Sequence, residues 1–233
     1  MKKRKPPTTI DDGQKRPLAN GGDLTTALDA LFATLANAAG APWLVVIAGP
    51  NGAGKSTLTR SVVSERGLDV IDPDRIAVAI SPNQTEMRDR LAQRLTEEVR
   101  REFVANLRTF AFETVLSDPY GAKVLELQEL QRDGYRIALI YVGLSSAQLS
   151  TGRVRQRIME KGHAVDPKKL PRRYAASLVN AVKLSRFADI TLILDNSSRE
   201  PPHRFIALFT PNSVFAKAAI VPAWTLPFFE RDA

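Results

Sequence analysis

The chain has 233 residues, 44% of them hydrophobic and 25% charged, with no cysteine and a formal charge of +8. That length fits one domain with a sizeable core, and the lack of cysteine excludes disulfides and thiolate-held zinc. No stretch approaches the roughly 18 apolar residues of a membrane span.

Residues 1–16 hold six basic side chains against two acidic ones, which is half of the net charge. Residues 1–22 therefore read as a disordered basic leader, and a solvated tail is preferred to a nucleic-acid grip. The basic start Met1 to Lys5 is followed by no apolar run, so a secretory signal is not expected and a cytoplasmic location is. From Leu24 to Ala39, Leu28, Leu31, Phe32 and Leu35 recur at helical spacing behind Asp23 as an N-cap. This amphipathic helix is expected to pack on the sheet.

Next comes the most informative stretch. Leu44 to Ala48 is an uninterrupted apolar run, and Gly49-Pro50-Asn51-Gly52-Ala53-Gly54-Lys55-Ser56-Thr57 opens from it into a helix. Gly-x-x-x-x-Gly-Lys-Ser between a strand and a helix is a phosphate-binding loop. Its glycines let successive N–H groups face one centre, and the following helix points its positive dipole end there. Lys55 supplies a point charge for the β- and γ-phosphates, and the Ser56 hydroxyl can hold Mg²⁺.

A second strand is predicted near Leu68 to Ile71, followed by Asp72-Pro73-Asp74-Arg75. Asp72, standing before a proline, reads as a cap of the next turn. A long helix over about residues 84–107 is expected to bury Met87, Leu91, Leu95, Val99 and Phe103 as its core face. A third strand, Thr109 to Thr114, ends in Glu113. A helix near 120–133 leads to a fourth strand, Arg136 to Val142, and a basic helical region follows over 147–184, broken near Gly162 and Pro167. The last strand, Ile190 to Leu194, runs into Asp195-Asn196-Ser197, which reads as a turn. The proline-punctuated segment 201–233 receives no role, and neither does His203. Strands alternating with helices imply an α/β fold with a parallel sheet covered on both faces.

In such a sheet ligands gather at the carboxyl ends of the strands. Asp74, Glu113 and Thr114 stand at such ends, so a carboxylate can orient and deprotonate an acceptor alcohol beside the loop. Arg153 and Arg157 share a helix face, and Arg172 and Arg173 follow the break. Arginines on a hinged helical pair can close over a triphosphate.

The ordered set Gly49 to Thr57, Asp72-Pro73-Asp74, Phe110-Ala111-Phe112-Glu113-Thr114-Val115-Leu116-Ser117, Gly134-Tyr135, Arg153-x-x-x-Arg157, Gly162-His163, Arg172-Arg173-Tyr174 and Asp195-Asn196-Ser197 resembles the bacterial zeta toxin family of P-loop kinases over roughly Trp43 to Ser197. The resemblance implies a three-layer P-loop domain over about 23–200, with five parallel strands in the order 2-3-1-4-5 and a helical lid. It implies ATP- and Mg²⁺-dependent phosphorylation of a sugar hydroxyl of UDP-N-acetylglucosamine, restrained by a small helical antitoxin. On this chain it makes Lys55 and Ser56 the triphosphate and metal residues, Asp74 the base, Glu113 and Thr114 acceptor contacts, Arg153 an ATP contact, and Arg157 and Arg173 lid arginines. Asp72, Val115 and Lys161 depart from the family pattern. A kinase of a sugar acid or nucleoside, and a nucleic-acid-binding ATPase module, stay open as alternatives.

Overall fold

A computed structural model of the chain describes residues 23–37, 40–81, 83, 85–159 and 166–230. The leader expected over 1–22 and the Lys161-Gly162-His163 break lie outside these residues.

The first strand, β1 (Trp43–Ala48), is buried at every position, which is why its sequence shows no alternation: both of its faces are covered. It lies at the middle of one sheet. On one side it pairs in parallel with β3 (Phe110–Thr114), which pairs with the short β2 (Val70–Ile71). On the other side stands β4 (Arg136–Gly143), followed by β5 (Ile190–Asp195). These five strands keep the expected order 2-3-1-4-5.

The sheet does not stop there. Two further strands, β6 (Arg204–Thr210) and β7 (Ser213–Lys217), continue it antiparallel beyond β5, giving seven strands in all. The five-strand expectation is thus corrected, and the segment that received no role supplies both additions. Phe205 to Phe209 are buried, and the turn residues Pro211-Asn212 bend the chain back on itself as a hairpin. The chain then covers the sheet with a tight helical turn, Ala223–Phe228. Trp224 closes so tightly on β4 that a Cβ at Gly143 would stand 2.1 Å from its ring. Tyr141, Trp224 and Phe228 form an aromatic group with centroids 5.5–6.4 Å apart.

Helices cover both faces. On one, α1 (Leu24–Asn37) lies over β5 and β6 and buries Ala27, Leu28 and Leu31 in the apolar cluster of that face, so it packs on the sheet as its periodicity predicts. The helical run after the loop lies on the same face. It begins as α2 (Lys55–Leu58), widens over Thr59–Val63 and tightens over Ser64–Arg66. The turn α3 (Pro73–Ile80) and the long α4 (Glu86–Ala105) follow β2. The opposite face carries α5 (Ala122–Arg132) and, after α6 (Ala147–Met159), α7 (Leu170–Ser185).

The inward side of α4 differs from expectation. Met87 is 80% exposed and Leu91 43%, whereas Arg88, Ala92, Thr96 and Arg100 form the buried stripe. Val99 and Phe103 still pack on the core. Arg100 can turn inward because Glu97 and Glu126 pair with it and its guanidinium lies 4.9 Å from the Phe112 ring centroid. Arg88 is held by Asp89 and the Ser81 carbonyl. No helix among the described residues is long and apolar enough to cross a membrane.

Candidate active site at the carboxyl edge of the sheet

The site grows out of the end of β1. Gly49 takes φ +154, and a Cβ there would stand 2.2 Å from the Val142 carbonyl of β4. Only glycine lets the chain leave the sheet that close to its neighbour. The loop then turns with Ala53 N–H donating to the Pro50 carbonyl at 3.2 Å. From α6, the Ser150 hydroxyl donates to the Asn51 carbonyl at 2.7 Å. The loop ends at Gly54, left-handed with φ 88, as the N-cap of α2.

Lys55 folds back over this loop and donates from Nζ to the Gly49 carbonyl at 2.8 Å and the Pro50 carbonyl at 3.1 Å. Burial lowers its pKa to about 8, and Arg157 pushes in the same direction. Glu113, Asp74 and Asp72 pull the other way. Side chains from β3, α3 and α6 therefore act electrostatically on one ammonium group. Ser56, the next residue, donates from Oγ to Glu113 Oε2 at 2.9 Å. Burial raises the pKa of Glu113 above the usual carboxylate value, against the Ser56 hydrogen bond and the charge of Lys55. Its other oxygen, Oε1, is buried with no hydrogen-bond partner among the described residues.

Asp72 caps α3, accepting from Asp74 N–H at 2.9 Å, as its place before Pro73 predicts. Asp74 sits in the first turn with its carboxylate exposed. Thr114 closes the turn after β3 by accepting from Leu116 N–H at 3.0 Å, and Leu116 takes a left-handed φ of 55. Arg153 reaches from α6 to the Ser197 carbonyl at 3.3 Å, and Arg157 is half-buried one turn further on. Arg173 lies half-buried in the first turn of α7. Lys55, Ser56, Glu113, Asp74 and Arg157 are thus brought together. Neither the Asp74 carboxylate nor the Arg173 guanidinium has a hydrogen bond or ion pair among the described residues.

Two further residues belong to the site, and the sequence did not reveal their part. Asn196, at the end of β5, donates from Nδ2 to the Ala53 carbonyl at 2.8 Å and accepts from His203 N–H at 3.0 Å. His203 Nε2 lies 3.0 Å from the Gly54 carbonyl. The strand-end position was the available signal for Asn196. For His203 there was none, because its place depends on the chain doubling back into β6.

Among the described residues no group of three or more His, Cys, Asp or Glu could hold a metal ion by itself. Ser56 Oγ with the Glu113 carboxylate, whose Oε1 is buried, still forms a hard-oxygen corner of the kind Mg²⁺ accepts when phosphates and waters complete its shell.

Comparisons with known proteins agree with this architecture. A family model described as Zeta toxin matches residues 28–200. An uncharacterized protein of Haemophilus influenzae is 29% identical over 118 residues, spanning 50% of this chain and 81% of that protein. Among solved structures, the AvrRxo1-ORF1:AvrRxo1-ORF2 complex with sulphate ions is similar with a TM-score of 0.60 at 10% identity, covering 82% of this chain and 65% of that one. The AvrRxo1-ORF1:-ORF2 structure with ATP is similar with a TM-score of 0.50 at 11% identity, covering 81% and 65%. At these identities the likeness is one of fold.

Proposed function

The chain belongs to the zeta toxin family, and from that premise we propose that it is an ATP-dependent kinase acting on a sugar hydroxyl of UDP-N-acetylglucosamine. The observation that carries the reading is the gathering of Glu113, Arg157, Asp74 and Asp72 around the ammonium of Lys55 in a phosphate-binding loop. A cationic cradle with carboxylates on its open side suits phosphoryl transfer, where positioning and charge compensation do most of the catalysis.

In this reading the backbone from Gly49 to Thr57, including Pro50, Asn51, Gly52, Ala53 and Gly54, seats the triphosphate, and Lys55 leaves the Gly49 and Pro50 carbonyls for phosphate oxygens. Ser56 and Glu113 form the corner that would hold Mg²⁺. Bound there, Mg²⁺ would offset charge on the phosphate oxygens. Asp74, exposed and unengaged, accepts the proton of the acceptor hydroxyl. That oxygen bonds to the γ-phosphorus as the bond to the β–γ bridging oxygen breaks, giving ADP and a phosphomonoester. Thr114 and Glu113 stand on the acceptor side, so Glu113 serves both the metal corner and the acceptor. Arg153 contacts the nucleotide, while Arg157 and Arg173 neutralise the transferred group. A small helical antitoxin is the proposed partner, on the strength of the family.

Phosphorus NMR of the protein with ATP, Mg²⁺ and a panel of acceptors tests this reading. A new phosphomonoester resonance is expected with UDP-N-acetylglucosamine. A signal only with a sugar acid or nucleoside would move the reading to another alcohol, and no turnover with any acceptor would remove it.

A further inference from the structure

We propose that Asn196 and His203 are positioning residues that hold two successive peptide units of the phosphate-binding loop in the orientation a nucleotide needs. The segment beyond residue 200, where the family match ends, thereby becomes part of the ATP site. The inference rests on the kinase reading above.

The contacts fall on adjoining carbonyls. Asn196 Nδ2 donates to Ala53 O at 2.8 Å and His203 Nε2 to Gly54 O at 3.0 Å. A carbonyl carries no proton, so Nε2 must be the protonated nitrogen of the ring. Burial and the charge of Arg153 lower the His203 pKa and so favour the neutral ring, while the Gly54 hydrogen bond works the other way. In a planar trans peptide the C=O and the next N–H point in opposite directions. Drawing the Ala53 and Gly54 carbonyls toward the β5–β6 connection therefore turns Gly54 N–H and Lys55 N–H the other way. Those are two of the donors a phosphate-binding loop presents.

Satisfying a buried polar group does not explain the His203 contact. The Gly54 carbonyl already accepts from Leu58 N–H at 3.1 Å. The imidazole adds a second bond, which fixes direction. The two residues also support one another, since Asn196 Oδ1 accepts from His203 N–H at 3.0 Å. His203 is 5% exposed and Asn196 8%. His203 adopts φ 51, a left-handed backbone that is unfavourable for a residue with a Cβ. The fit is close: a Cβ at Gly54 would stand 2.5 Å from Asn196 Nδ2 and 3.1 Å from His203 Nε2.

Calorimetric binding of ATP, ADP and AMP to the full chain without acceptor tests the proposal. His203→Ala is expected to weaken ATP and ADP about 5- to 10-fold, the scale of one net hydrogen bond, and AMP less than about twofold. His203→Gln, which restores an N–H donor, should recover to within about threefold of the parent chain. His203→Met, equal in length but without a donor, should behave like the alanine variant and carries the comparison if that variant does not fold. Asn196→Ala should weaken ATP at least as much, since it frees the Ala53 carbonyl and the His203 amide together. Parent-level ATP binding in both His203→Ala and His203→Met overturns the proposal. An equal loss for AMP and ATP that His203→Gln does not repair also overturns it. A parent chain that binds no ATP removes the kinase reading and this inference with it. Variants equal to an ATP-binding parent remove the inference alone.

Discussion

Ser56 Oγ donates to Glu113 Oε2 at 2.9 Å, joining the phosphate-binding loop to the end of the neighbouring strand across 57 positions of sequence. The pairing follows from the parallel register, which sets Ile47 beside Glu113 and Ala48 beside Thr114. One carboxylate oxygen is thereby engaged and the other stays buried without a partner among the described residues.

Glu113→Gln should keep the Ser56 contact while removing the charge. If the carboxylate serves the metal corner, kcat falls by about 100-fold or more, while ATP affinity measured without Mg²⁺ stays near that of the parent. The sign for stability is opposite. Burial raises the folded-state pKa of Glu113, so ionisation destabilises the folded chain as pH rises through the unfolded value toward the raised folded one. At neutral pH, Glu113→Gln should therefore raise the midpoint of thermal unfolding. A lower midpoint, with unchanged kcat, would remove both roles.

Lys55 gives a second pH dependence. Its pKa of about 8 in the free protein means that the ammonium begins to lose its proton just above neutrality. Bound phosphate favours the charged form, so the complex holds a proton that the free protein releases, and affinity falls as pH rises. The ATP dissociation constant should grow by up to about tenfold per pH unit above pH 8. Lys55→Ala should abolish turnover and flatten this dependence. A dissociation constant independent of pH from 7 to 10 would contradict the assignment.

Asp74→Asn keeps the shape of the side chain and removes its basicity. As general bases contribute about 10²–10⁴-fold, kcat should fall within that range while ATP binding is retained. Turnover at the parent rate would mean that another group takes the proton.

Gly49→Ala and Gly67→Ala separate a close approach from a backbone preference. Both residues have positive φ, but a Cβ at Gly49 meets the Val142 carbonyl at 2.2 Å while nothing lies within 4 Å at Gly67. Gly67→Ala should cost about 1 kcal/mol. Gly49→Ala adds overpacking and should cost about 3 kcal/mol or more. Urea unfolding of both variants checks the difference, and equal midpoints would contradict it.

Phe228→Ala tests the C-terminal segment as part of the core. Phe228 is 8% exposed and its ring lies 5.5 Å from that of Tyr141. Its removal should destabilise the chain by roughly 3–5 kcal/mol, as for other buried aromatic side chains. A loss below 1 kcal/mol in urea unfolding would make the segment a loose appendage.

By itself the sequence determined the strand–loop–helix unit from Leu44 to Thr57, the alternation of helices with parallel strands, the cap at Asp72 and the place of Glu113 at the end of β3. All of these are written locally, in apolar runs, glycine spacing and the residue before a proline. The tertiary structure decided what depends on distant partners. Arg88 and Arg100 face inward on α4 because carboxylates and an aromatic ring meet them there, and a hydrophobic pattern cannot register compensated charge. β6 and β7 join the sheet because β5 offers an open edge to a segment whose proline-broken sequence concealed its strands. His203 reaches Gly54 across 149 positions and Asn196 reaches Ala53 across 143. The end of a strand points to Asn196 only in general terms and nothing near His203 points to its contact, because the geometry that brings them together belongs to the completed sheet.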